Sequence, residues 1–138
     1  MTLDTLRDYF PDATLETWHQ HSNGGGWVQN TARVDDTAFV GSDARVSGNA
    51  RVLGNAWVSY YARVFGDALV SGNARVSGNA RVSGNAQVTD YARVSGHAWV
   101  FDNAQVSGHA MVSGESEVSG KAVVSGKTVV YGWSMVMM

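Results

Sequence analysis

The chain of 138 residues has no cysteine, a single proline, few charged residues for its length and no long apolar run. Without cysteine there can be no disulfide, no thiol nucleophile and no Cys-based zinc site, a usage that suits a reducing compartment. Its 10 basic and 12 acidic residues leave a formal net charge of −2, so it lacks the basic footprint of strong nonspecific nucleic-acid binding or of attachment to an anionic membrane. No stretch approaches the length of a membrane span, and Met1 to Asp8 is acidic and alternates in polarity, unlike a secretory leader. We therefore expect a soluble, cytoplasmic protein of single-domain size.

What the chain does have is 16 glycines, and they are spaced. Valine recurs at every sixth position from Val28 to Val136, nineteen times without an insertion. Two residues before each valine from Val34 onward stands alanine in fifteen of eighteen cases, the exceptions being Ser116, Thr128 and Ser134. The unit reads Ala-x-Val-Ser-Gly-Asn, as in Ala74 to Asn79. In an α-helix six residues advance the azimuth by about 600°, which would spiral the valines around the axis. In a strand, residues two apart point to one side, so each hexad is read as a short strand with Ala and Val inward. Gly-Asn then makes the corner, because glycine takes positive φ freely and asparagine tolerates it.

Strand and corner in alternation with one inward row describe a triangular prism wound from a single chain. Three hexads close a coil, and Val28 to Val136 makes about six coils, a rod of roughly 30 Å at about 4.8 Å per coil. The fold class expected is all-β, a single-stranded parallel β-helix over residues 27–138. Residues 1–26 fall outside the repeat. There Thr2 is placed to cap a short helix carrying Leu3, Leu6, Tyr9 and Phe10, ended by Pro11, and Asp12 to cap a second helical turn with Leu15 and Trp18. Ser22 to Gly26 reads as a glycine-rich hinge, and the helical segment as a cap over the open first coil.

The recurring valine, the small residue four after it and the asparagine three after it (Asn49, Asn55, Asn73, Asn79, Asn85, Asn103) resemble the hexapeptide-repeat superfamily of left-handed parallel β-helices. Glycine here sits two residues after valine (Gly48, Gly72, Gly78, Gly84), with serine where that superfamily often has glycine. Bactofilin-like polymer-forming proteins, with right-handed β-helices, resemble the sequence more weakly. The superfamily resemblance implies a left-handed prism, lateral packing into a trimer and, for its enzymes, acyl transfer from a CoA or carrier-protein thioester with a histidine as general base at an inter-subunit groove. His97 and His109 stand at corners where asparagine is usual and would be the candidates. However, the loop that such enzymes use to reach over the acceptor is missing from the unbroken hexads.

The residue before each valine points outward, and positions eighteen apart stack into ladders. One ladder is Trp27, Arg45, Arg63, Arg81, Trp99, Glu117, Met135; a second is Arg33, Arg51, Leu69, Gln87, Gln105, Val123; a third is Phe39, Trp57, Arg75, Arg93, Met111, Val129. Stacked like charges destabilise unless partnered. Arg45, Arg63 and Arg81 are thus expected either to splay into solvent or to pair with corner acids such as Asp43 and Asp67. With Phe65, Trp99 and Phe101 on the same face, they also form a candidate surface for an anion or an acidic protein partner. Toward the C-terminus the outward residues turn apolar: Met111, Val123, Val129, Tyr131, Trp133, Met135, Met137 and Met138 are candidates for a homo-oligomer contact, as a trimer or an end-to-end dimer.

No metal site is expected, because His97 and His109, twelve residues apart, fall on different corners, and His19 and His21 lie in the terminal segment. The leading functional expectation is a non-enzymatic, self-associating scaffold without a cofactor. Its regularity suits a phage or mobile-element accessory protein or an inhibitor. A CoA-dependent acyltransferase is the alternative.

Overall fold

The computed structural model describes residues 1–137. The period-six pattern forms a parallel β-solenoid of about six turns, all-β apart from one short helix. Its three faces are sheets of eight, six and six strands. The first face carries the Trp27–Arg45–Arg63–Arg81–Trp99–Glu117–Met135 ladder, the second the Arg33 ladder and the third the Phe39 ladder. Strands one coil apart pair in register, Val64 beside Val82 and Val82 beside Val100. Hydrogen bonds run from coil to coil: Arg33 N–H donates to the Ala50 carbonyl at 2.9 Å, and Asp35 N–H to that of Val52 at 2.9 Å.

The interior is the valine and alanine stack and little else. Every repeat valine from Val40 to Val112 and every repeat alanine from Ala38 to Ala110 is fully buried. A buried valine contributes about 1.5–3 kcal/mol, and because each one touches the coils above and below, the stability is that of neighbour stacking on neighbour.

The corners explain the glycines. Gly114 has φ 68°, and a Cβ there would lie 2.6 Å from the amide nitrogen of Gly132 in the next coil. Tyr60, Asp90 and Asp102 hold the equivalent corner at φ 55°, 60° and 58°. Both aspartates offset that conformation by accepting a hydrogen bond from the glycine one coil on, Gly108 N–H to Asp90 at 3.0 Å and Gly120 N–H to Asp102 at 3.1 Å.

Residues 1–26 differ from the sequence expectation in three ways. The helix forms as expected, Leu3–Arg7 (α1), with Thr2 Oγ1 accepting from Thr5 N–H at 3.2 Å. No second helix follows. Instead Trp18–Gln20 (β1) pairs antiparallel with Trp27–Gln29 (β2) and so extends the first face past its first coil. Pairing with an otherwise open sheet edge outweighs the weak local helical preference of this stretch.

The glycine-rich stretch is a packed loop rather than a hinge. Val40 N–H donates to the Asn23 carbonyl at 3.0 Å and Gly26 N–H to the Val40 carbonyl at 2.8 Å, which satisfies the edge of the third face. A Cβ on Gly24 would sit 2.2 Å from the Val40 oxygen, so close backbone approach is what requires glycine there. The buried His21 donates from Nε2 to the Ala38 carbonyl at 2.8 Å, since a carbonyl can only accept.

The helical segment also sits elsewhere than over the open end. Leu6, Ala13, Trp18 and Trp27 form a second apolar cluster, separate from the valine core, on the outer side of the first face. Trp27, an outward residue of the ladder, is only 3% exposed beneath it, and its Nε1 donates to the Met1 carbonyl at 2.9 Å. Among the described residues, no helix is long and apolar enough to cross a membrane.

Candidate functional site

The first face continues from this covered patch into the arginines. Arg45 lies opposite Arg63, and Arg63 opposite Arg81, on consecutive strands. Two like charges at that rung spacing of about 4.8 Å repel by roughly 3 kcal/mol at an effective dielectric of about 20. The expected pairing with Asp43 and Asp67 does not occur. Among the described residues the ion pairs are the Met1 amino group with Asp43 at 3.3 Å and Arg7 with Asp4 at 3.7 Å. Asp67 belongs to the corner that leads into the second face, so its register carries it away from the arginine ladder.

Nor does Arg45 splay into solvent. It is 5% exposed, and its Nε and Nη1 are buried without a hydrogen-bond partner among the described residues. The ring of Tyr9, just past α1, lies over its guanidinium carbon at 3.8 Å. Arg81 sits over Trp99 at 4.5 Å, and Trp99 in turn donates from Nε1 to Ser83 Oγ at 2.9 Å. Arg45 and Arg81 are thus held by aromatic faces instead of carboxylates. Arg63, in the middle, is half-buried. Burial first, then the positive charges of Arg45 and Arg81, push its guanidinium below the ordinary range, with Tyr9 acting in the opposite sense.

Trp99 and Phe101 are half-buried against each other, their ring centroids 4.4 Å apart. Phe65 is also half-buried on this face but makes no ring contact with them. Tyr61, Asn79 and His97, stacked on the corner that leads into the face, line one recess with the three arginines and Tyr9. The eighteen-residue period could have placed those three beside the ladder. Nothing in the repeat pointed to Tyr9, which comes from outside it.

His97 and His109 stand on different corners. His109 stacks on Tyr91, with centroids 4.9 Å apart and planes 5° apart, in a recess of the third face with Asn73, Arg75, Arg93 and Met111. Among the described residues no three His, Asp or Glu side chains converge in a way that could hold a metal ion.

The apolar candidates are spread around the last coils. Met111 and Val129 are neighbours on the third face, Val123 is on the second and Met135 on the first, all exposed. Tyr131, Trp133 and Met137 are exposed too, Trp133 at 82%. Met138 lies outside the described residues.

Fold and repeat together define the class: a parallel β-solenoid repeat protein. Residues 44–60, 62–77, 74–90 and 104–116 match the family model described as YdcK Beta solenoid repeat, under half of the chain in all. No curated protein and no solved structure matches it.

Proposed function

We propose that this β-solenoid is a binding scaffold that engages an acidic protein partner through its first face. The observation that carries the reading is the run of Arg45, Arg63 and Arg81 on adjacent strands, without a carboxylate partner among the described residues and with Arg45 and Arg81 braced by Tyr9 and Trp99. Fixed positive charges with aromatic flanks give an interface both steering and anchor residues, and Phe65 and Phe101 supply apolar area beside them. The hexapeptide-repeat resemblance, with its left-handed winding, belongs to the same reading, as do a cytoplasmic setting and a homo-oligomer. Self-association is supported by the exposed Met111, Val123 and Val129.

Titration calorimetry with a glutamate-rich peptide tests the partner reading. Binding that weakens as salt rises, and that Arg81→Glu weakens at least about tenfold, is the expected outcome. Absence of heat at low salt contradicts it.

A further inference from the structure

The inner end of the arginine ladder differs from an ordinary charged surface in one respect. Arg45 keeps two nitrogens, Nε and Nη1, buried and without a hydrogen-bond partner among the described residues. A buried donor left unpaired is destabilising, the more so when it is charged. The side chain has no freedom to relieve this by turning outward, because the Tyr9 ring covers it. Adjacent rungs add the Arg63 and Arg81 guanidinium groups, and the neighbouring corner adds the Asn79 amide, the Tyr61 hydroxyl and the His97 ring in the same recess. The corner that leads into the second face carries Thr31, Asn49, Asp67, Asn85, Asn103 and Lys121, with neither tyrosine nor histidine. The third face repeats part of the grouping, Arg75 and Arg93 with Asn73, Tyr91 and His109, but both of its arginines are exposed and neither has the buried, unpartnered nitrogens of Arg45.

We infer that the Arg45–Arg63–Arg81 rungs beneath Tyr9 form a binding site for a phosphate-class oxyanion. The inference rests on the reading of the first face as an anion-binding face and narrows it to one chemistry. A carboxylate brings one charge and two oxygens in a plane, which fits a single guanidinium and leaves the next rungs uncompensated. A phosphate or phosphomonoester brings close to two charges and at least three acceptor oxygens on different sides. In the recess it can accept from Arg63 and from Arg81 one rung away at the same time, and so offset the repulsion among the three stacked charges, the buried Arg45 included. The tyrosine over Arg45 holds that guanidinium in place beforehand, so little side-chain freedom is lost on binding.

The test is titration calorimetry of the full chain with inorganic phosphate, with chloride added to constant ionic strength. Saturable binding is expected, weakened at least about tenfold in Arg63→Gln and left unchanged in Arg75→Gln on the third face. Circular dichroism on each variant checks that the solenoid is intact, and Arg81→Gln serves as a second variant should Arg63→Gln fail to fold. A phosphoserine peptide and its unphosphorylated form separate the two sources of the group. Phosphate binding without peptide discrimination identifies the free ion, and a tighter phosphopeptide identifies a phosphorylated partner; both support the site. If the glutamate-rich peptide binds but phosphate gives no heat, or if Arg63→Gln and Arg75→Gln bind phosphate alike, the site is overturned while the acidic-partner reading stands. If neither ligand binds, both fall.

Discussion

The first and second faces share one backbone, one valine row and one corner geometry, yet they present opposite surfaces. On the second face Arg33, Arg51, Gln87 and Gln105 are exposed, and among the described residues neither arginine lies over an aromatic ring, as a solvated face should. On the first, Trp27 and Arg45 are buried on the outside of the prism, because α1 and the turn after it lie over them. In a solenoid the repeat fixes the frame, and individuality comes from the outward ladder and from whatever non-repeat chain covers it.

Core substitutions should abolish the contrast. Val82→Asp on the first face and Val88→Asp on the second each place an unpaired carboxylate at a fully buried site. Each is expected to cost about 5 kcal/mol or more, enough to remove the cooperative thermal transition. If one variant folds normally, the two faces do not share a single core.

Covering substitutions should sharpen it. Trp27→Ala removes a side chain 3% exposed and is expected to cost about 3–5 kcal/mol. Arg33→Ala, at the same level of the second face, should stay within about 0.5 kcal/mol. Urea denaturation of the pair decides this, and equal midpoints would mean that the N-terminal segment contributes nothing to stability.

The smallest stability effect carries the most information. Arg45→Met keeps an unbranched apolar stem while removing the two orphaned nitrogens and a charge next to Arg63. We expect it to stabilise the phosphate-free protein by about 1–2 kcal/mol, against no change for the exposed Arg51→Met. A lower melting temperature for Arg45→Met would show that the stacking on Tyr9 outweighs the desolvation of Arg45.

These contrasts also mark how far the sequence could be read. Solenoid, ladders and corners follow from period six, since a strand and a corner glycine leave only one way to bury valine at every repeat. The first 26 residues were harder. Trp18–Gln20 is a strand because an open sheet edge lies within reach, which is a tertiary fact. Glycines 24 and 26 look like a hinge by composition and are instead demanded by contact with Val40. The arginine ladder itself was legible, but the burial of Arg45 was not, because Tyr9 reaches it from a segment with no register to the repeat.

The central claim is that the anion-facing surface is the first face and not the arginines of the prism in general. Calorimetric titration of the glutamate-rich peptide into Arg63→Glu and Arg51→Glu, two charge reversals of equal size on different faces, tests it most directly. At least a tenfold loss of affinity for Arg63→Glu with wild-type affinity for Arg51→Glu is expected. Equal losses in the two variants would contradict the account.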